Sequence, residues 1–233
     1  MTREVPRVIV AGVLAVLAVI VGSTGGRGVA ILAAEGQAAS AQTPPAKAAT
    51  TPAEAAAAAQ PNAADVHFMS GMIPHHAQAV LIAGWAPTRA QRADLKILCE
   101  RIVVGQRDEI ELMQVWLRDR GLPVPDAKAT HMKMSMGGVE HDMLMPGMMS
   151  DEQLKALDKA RGTDFDRLFL IAMIKHHEGA LTMVDELFKS YGAAQDETVF
   201  RFASDVYADQ TTEIHFMQKM LDSLPPAKGG GPQ

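Results

Sequence analysis

The residues best suited to chemistry in this chain lie in two copies of one short pattern. Each copy has an aspartate, a phenylalanine three residues later, then Met-Ile-x-His-His and an alanine, and the copies lie 101 positions apart. A methionine stands four residues before the second histidine, as Met72 before His76 and Met173 before His177. Because residues i and i+4 share a helix face, each copy should place a thioether beside an imidazole. This soft donor pair favours Cu(I) over Mg²⁺ or Ca²⁺.

Both histidines of each pair enter this prediction. Adjacent residues on a helix point about 100° apart, so one imidazole should face inward and the other sideways. The candidate metal ligands are therefore six residues: His75, His76, Met72, His176, His177 and Met173. The alternative is that the histidines are hydrogen-bonded structural elements, which fix the register of the helices and bind no metal.

A second repeated pattern, Glu-Ile-x-x-Met-Gln, follows each copy of the first. Gln106 and Gln210 interrupt the apolar stripes that precede it, and Glu109 and Glu213 lie about one turn further on. Buried polar groups need partners, and an inward histidine on the neighbouring helix is one. Two roles are open for these four residues: they pair with the histidine as a structural hydrogen-bonded element, or they hold the far nitrogen of a metal-ligating imidazole.

The methionines are concentrated between the two halves, where seven of the fifteen lie in a segment without helical periodicity. A flexible backbone could gather two or three thioethers there around a soft ion, with a histidine completing the set. The secondary candidate ligands are His131, Met132, Met134, Met136, His141, Met143, Met145, Met148 and Met149. The alternative is an oxidisable linker. Methionines at helical spacing, such as Met69, Met113, Met183 and Met217, are interpreted as core filler.

Four amphipathic helices are predicted to position these residues. The first is expected to begin with Asp65 as its N-cap and to break at Pro87-Thr88, and the second to end at Gly121. A capping-box pattern, Ser150-Asp151-Glu152-Gln153, predicts a short helix to about Lys159. The third helix should close near Tyr191-Gly192 and the fourth before Pro225-Pro226. With no β-strand pattern recognised, the fold class is all-α, a duplicated two-hairpin four-helix bundle.

The N-terminus predicts export. Arg3 and Arg7 precede an apolar run at residues 8–21, too short for an ordinary membrane span and typical of a signal peptide, although retention as an anchor stays open. The predicted organisation is a signal peptide or membrane anchor at 1–34, an Ala/Pro-rich disordered linker at 35–64, the helical domain at 65–223 and a disordered tail at 224–233. The domain divides into 65–121, a Met-rich loop at 122–150, and 151–223.

Composition and the absence of known motifs argue against several classes of function for this protein. A net charge of −5 gives no electrostatic reason to expect nucleic acid as a partner. The single cysteine excludes an internal disulfide and a cysteine-based zinc site. No nucleophile elbow, phosphate loop or dinucleotide fingerprint is present, so the sequence gives no support to a hydrolase or a nucleotide-binding protein.

The doubled Asp, Phe, Met-Ile-x-His-His and Ala pattern resembles the bacterial domain-of-unknown-function family numbered 305, over about residues 65 to 222. The segment Met145 to Met149, followed by Ser150, is similar to the linker between that family's halves. The resemblance implies an exported or membrane-anchored, ferritin-like four-helix protein, and some members are associated with copper binding and copper tolerance. It implies metal roles for the six candidate ligands. Ile82 stands where the family usually has a methionine, whereas the second half keeps Met183.

The first hypothesis is a non-enzymatic, extracytoplasmic protein, periplasmic, extracellular or anchored facing outward. It would sequester or transfer Cu(I), and also Ag(I), in metal homeostasis, and an envelope copper transporter or chaperone would be its partner. The second is a di-metal ferritin-like enzyme, although the Glu-x-x-His motif of such sites does not occur. The third is a metal-free structural or partner-binding envelope protein.

Overall fold

Four long helices carry both repeated patterns in the computed structural model, which describes residues 60–226. The predicted signal or anchor segment, the linker up to residue 59 and the tail from residue 227 lie outside the described residues. The helices are α1 Ala63–Ala83, α2 Ala86–Arg89, α3 Ala93–Asp119, α4 Asp151–Lys159, α5 Gly162–Lys189 and α6 Glu197–Asp222. Two strands, β1 Met132–Met136 and β2 Val139–Met143, lie between α3 and α4.

The long helices pack as two hairpins that meet through their first helices. Helix α1 lies against α3, α5 lies against α6, and α1 and α5 contact each other between the hairpins. The predicted all-α class is confirmed in its coarse form, since the described chain is mostly helical. None of the helices in residues 60–226 combines the length and apolar character that a membrane span requires.

The apolar core falls into two clusters along the bundle. Phe68, Met72 and Phe202 belong to the first, and Phe169 and Met173 to the second. The candidate thioethers of Met72 and Met173 are both fully buried, but they lie in different clusters. Burial of this kind stabilises a Met side chain by roughly 1.5–3 kcal/mol.

The repeated aspartates connect the two hairpins. Asp65 accepts a hydrogen bond from the Ala194 backbone N–H at 2.7 Å, in the connection between α5 and α6. Asp166 accepts the backbone N–H groups of Gln91 and Arg92 at 3.0 and 3.1 Å, just before α3. The prediction that Asp65 is an N-cap was wrong, because the side chain of Asn62 caps α1 instead.

The short helix α4 begins and ends where its capping box predicts. Ser150 Oγ accepts the Gln153 backbone N–H, and the Gln153 side chain accepts the Ser150 backbone N–H. Both interactions are local in sequence, which is why the four-residue pattern identifies them.

The expectation that the described chain has no strands was wrong for β1 and β2. They form an antiparallel hairpin in which Met136 pairs with Val139 across a two-residue turn. Gly137 and Gly138 both have positive φ, the conformation of a type I′ turn. The hairpin leads into residues 145–149, which return to the bundle.

Candidate metal centre

Four buried imidazoles form a row across the interface between the hairpins. His75 of α1 and His176 of α5 lie at its centre, with ring centroids 3.8 Å apart. His76 lies 6.2 Å from His75, and His177 lies 6.3 Å from His176, again between ring centroids. All four residues are fully buried. The inner histidine of each pair thus faces the other hairpin, and the outer one faces the partner helix of its own hairpin.

A carboxylate lies at each end of this imidazole row. His177 Nε2 lies 2.8 Å from Glu213 Oε2 in hydrogen-bond geometry. His76 Nε2 lies equally close to Glu109 Oε2, at 2.8 Å, but the ring N–H is not aligned as a hydrogen bond. Because a carboxylate oxygen accepts, His177 Nε2 is the donor in this bond, and Nδ1 is the ring nitrogen that faces away from the carboxylate. The two glutamates of the repeated pattern thus lie beside Nε2 of the outer imidazoles.

The nitrogen atoms that remain are unpaired. The Nδ1 atoms of all four histidines, and also Nε2 of His76 and of His176, are buried without a hydrogen-bond partner. A buried unsatisfied polar atom costs about 1–3 kcal/mol, so these six atoms need an explanation. His75 and His177 have the arrangement of metal-ligating histidines, with one nitrogen held by a carbonyl or a carboxylate and the other free. The donor set therefore fits a metal ion that binds imidazole nitrogen.

The two central imidazoles are neutral. Burial, with the neighbouring His76 next in importance, lowers the pKa of His75 from 6.5 to about 3. Burial, followed by the charge of His75, lowers the pKa of His176 well below its usual value. Neutral imidazole is the form that binds metal ions, so no proton has to leave these rings at neutral pH.

The segment Met145–Met149, here called the plug, covers the centre of the row. The Pro146 carbonyl accepts a hydrogen bond from His75 Nε2 at 3.0 Å. Gln78 fixes the far end, since its amide donates to the Met149 carbonyl at 3.0 Å and accepts the Met149 N–H at 2.7 Å. On α5 the plug lies directly over Gly179, where any side chain would overlap the Pro146 backbone. The plug thus closes one side of the imidazole row.

Gln78 and Gly179 were not identified from the sequence, although they are equivalent positions of the two copies, 101 residues apart. In the first copy the Gln78 side chain holds the plug, and in the second copy Gly179 has no side chain where the plug passes. The replacement of glutamine by glycine within an otherwise matching pattern was the sequence signal that could have identified both positions.

The Met-rich segment is divided by the structure. Met145, Met148 and Met149 are buried in the apolar core, so the expectation of thioethers on a flexible backbone was wrong for these three. Met148 Sδ also accepts the Met145 backbone N–H at 3.2 Å. The other candidates lie on or before the hairpin, where Met132 pairs with Met143 and Met134 with His141. His131 lies 3.6 Å from Asp151, and Met136 closes β1.

The predicted glutamines are buried, and neither accepts a hydrogen bond from a histidine. Gln106 and Gln210 lie on α3 and α6, one turn before Glu109 and Glu213, and the Oε1 atom of each has no hydrogen-bond partner. Within residues 60–226, no group of three or more His, Cys, Asp or Glu side chains is arranged to hold a metal ion.

These features define a class, a helical bundle with a buried histidine site closed by a Met-Pro-Gly-Met-Met segment. The chain belongs to the family described as Domain of unknown function (DUF305), whose model matches residues 65–221. The resemblance predicted from the doubled motif is thereby confirmed. The family description assigns no activity.

Solved structures of the same family share the fold. A DUF305 protein from Streptomyces coelicolor is 24% identical, with a TM-score of 0.59, and the match covers 75% of this chain and 99% of that one. A DUF305 fragment from Deinococcus radiodurans is 27% identical, with a TM-score of 0.59, over 71% of this chain and 99% of that one.

CopM is a structural neighbour that has been solved with Cu(I), with Cu(II) and with silver bound. Its Cu(I) form is 28% identical, with a TM-score of 0.52, over 68% of this chain and 95% of CopM. Among curated proteins, the uncharacterized protein L153 of Acanthamoeba polyphaga mimivirus is 34% identical over 58 residues. That match spans 38% of the relative's length and 25% of this chain.

Proposed function

We propose that this protein binds copper as Cu(I), and Ag(I) by the same chemistry, outside the cytoplasm, and that it sequesters or transfers the ion. The observation that carries the proposal is the imidazole row, in which four buried Nδ1 atoms have no hydrogen-bond partner. The structural neighbour CopM, solved with copper and with silver, supports the choice of metal. Export follows from the N-terminal sequence, and an envelope copper transporter or chaperone would be the partner.

The proposed ligands come from equivalent positions of two halves in a duplicated, ferritin-like bundle. They are His75, His76, Met72, His176, His177 and Met173. Glu213 is hydrogen-bonded to His177 Nε2, and Glu109 lies 2.8 Å from His76 Nε2. The two carboxylates would orient the outer imidazoles so that Nδ1 is presented to the ion. Imidazole and thioether together favour Cu(I) over hard cations, and neither donor needs to lose a proton at neutral pH.

A structural role for the row is the second candidate. Pro146 and Glu213 each hold an Nε2 atom, and such bonds also fix the register of neighbouring helices. This candidate predicts that metal binding is absent and that thermal stability does not respond to copper.

The test is an anaerobic competition titration with a chromogenic Cu(I) chelator. The variant His76→Phe/His177→Phe keeps a ring at both positions but removes the nitrogen donors. His215→Phe, at an exposed position on α6, is the matched control. We expect the double variant to lose tight binding and the control to keep it.

A third variant separates the row from the hairpin. Replacing Met132, Met134, Met136 and Met143 with leucine removes the hairpin thioethers and leaves the plug intact. If only this variant loses the tight site, copper binds at the hairpin and the assignment to the row is wrong. If the parent protein takes up no Cu(I), the structural role of the row is favoured.

A further inference from the structure

A small pocket opens on the surface away from the imidazole row, between the first half of α1 and the last half of α5. Its volume is about 170 Å³, and Phe68 and Leu187 form part of its apolar wall. Its remaining walls include three soft donors, the imidazole of His67 and the thioethers of Met145 and Met183, with the Glu186 carboxylate beside them. Apolar packing alone does not explain why an imidazole, two thioethers and a carboxylate line the same pocket.

The two thioether side chains meet over Gly71. A Cβ atom at this position would lie 2.7 Å from Met145 Cε, 3.4 Å from Met145 Sδ and 3.5 Å from Met183 Cε. Glycine inside a helix costs roughly 0.5–1 kcal/mol relative to alanine, so its presence here is explained by the close approach of the two methionines. Since residues i and i+4 share a helix face, His67 lies on the same face of α1, one turn away.

Exposure distinguishes this pocket from the row. Met145 and Met183 are only 5% and 4% exposed, whereas His67 is exposed to solvent. An ion could therefore reach the thioethers from solvent past His67 without separating the helices. The imidazole row, in contrast, is fully buried beneath the plug.

We propose that His67, Met145 and Met183 form a second, solvent-accessible site for Cu(I). Two thioethers and one imidazole are a soft donor set, and this set selects Cu(I) or Ag(I) over divalent hard cations. Glu186 adds a negative charge next to the site and compensates the charge of the ion. The proposal shares with the proposed function the premise that the chain binds Cu(I), but it uses none of the six ligands of the row.

The experiment compares two variants with the same chemical change. Met145→Leu/Met183→Leu removes both thioethers from the pocket, and Met69→Leu/Met113→Leu removes two fully buried thioethers elsewhere in the same cluster. Met-to-Leu changes conserve volume and cost less than about 1.5 kcal/mol, so both proteins should fold. We expect the first variant to bind one Cu(I) equivalent fewer than the parent and the second to bind as the parent does.

A third protein, the row variant His76→Phe/His177→Phe, separates the pocket from the imidazole row. The row variant should still bind one Cu(I) if the pocket is a site. Loss of all copper from that variant would overturn the pocket while leaving the row in place, and no uptake by the parent would overturn both proposals.

A second readout identifies the ligands of the pocket directly. One equivalent of Ag(I), added to the row variant carrying ¹³C-methyl methionine, should shift the methyl resonances of Met145 and Met183 and leave that of Met69 unmoved. Unmoved Met145 and Met183 resonances would overturn the proposal. His67→Gln should weaken the silver-dependent shift, since it removes the imidazole and leaves both thioethers in place.

Discussion

At the scale of single residues, the unpaired imidazole nitrogens of the row are the strongest indication of a binding function. Imidazole rings that only fix helix register would be expected to satisfy both nitrogens. Here the Nδ1 atoms of His75, His76, His176 and His177 are all without a partner, in a site from which water is excluded. An ion bound to these atoms would remove the cost of burying them, so binding and stability should be coupled.

The glutamate at one end of the row provides a test of orientation. Glu109→Gln keeps the size of the side chain but removes the charge that faces His76 Nε2. Loss of such a carboxylate typically lowers metal affinity 10–100-fold, and we expect a loss of that order in Cu(I) competition titration. Glu111→Gln, two residues along the same helix and exposed, is the matched control. Equal affinities of the two variants would contradict the assigned role of Glu109.

The pairing of glutamate with histidine was predictable because both patterns recur, and a polar residue on an apolar helix stripe requires a buried partner. The positions of Gln78 and Pro146 were not predictable in this way. Their contacts join residues 71 positions apart in sequence, and no periodicity links them.

At the scale of elements, the plug is the segment whose placement decides access to the row. It is held by hydrogen bonds to α1 and by direct packing on α5, where Gly179 leaves room for the Pro146 backbone. A side chain at Gly179 would have to displace a main-chain segment, which cannot move as a flexible side chain does. The plug and α5 are therefore closely fitted.

Two glycine substitutions test this fit. Gly179→Ala should destabilise the protein by about 1–3 kcal/mol, since it overpacks the contact between the plug and α5. Gly105→Ala, in α3, adds a Cβ that meets no atom within 4 Å, and should stabilise by about 0.5–1 kcal/mol through helix propensity. Urea denaturation of the apoprotein measures both. A stabilising effect of Gly179→Ala would show that the plug does not lie against this position.

Helix α4, the β-hairpin and the plug differ in how well the sequence predicts them. The start of α4 was predictable because Ser150 and Gln153 bond to each other's backbone within one turn. The hairpin was missed because methionine is a weak strand indicator, although Gly137-Gly138 between alternating residues was a turn signal. Burial of the plug was missed because its methionines follow neither the helical nor the strand period.

At the scale of the whole molecule, the two hairpins hold each other through reciprocal contacts. Asp65 at the start of α1 holds the connection before α6, and Asp166 near the start of α5 holds the connection before α3. At the centre, His75 and His176 bring the same hairpins together in the imidazole row. Stability of the assembled bundle should therefore depend on the protonation of these two rings.

This dependence gives a pH prediction for the apoprotein. His75 and His176 are neutral when folded, with folded pKa values lowered to about 3 for His75 and also well below 6.5 for His176. In the unfolded chain a histidine binds a proton near pH 6.5, so below that pH the unfolded state carries more protons. The free energy of unfolding should therefore fall as the pH is lowered from 6.5 towards 3, by about 2 kcal/mol for each histidine at pH 5.

Urea denaturation between pH 7 and pH 5 measures this slope, and a comparison of variants assigns it to the row. His75→Leu/His176→Leu removes both buried imidazoles, so its stability should change much less with pH than that of the parent. His215→Leu removes an exposed imidazole on α6 and should keep the parent slope. Carboxylates contribute equally to all three proteins, and their effect cancels in the comparison. If the double variant and the parent lose stability equally on acidification, the central rings do not control the stability of the bundle.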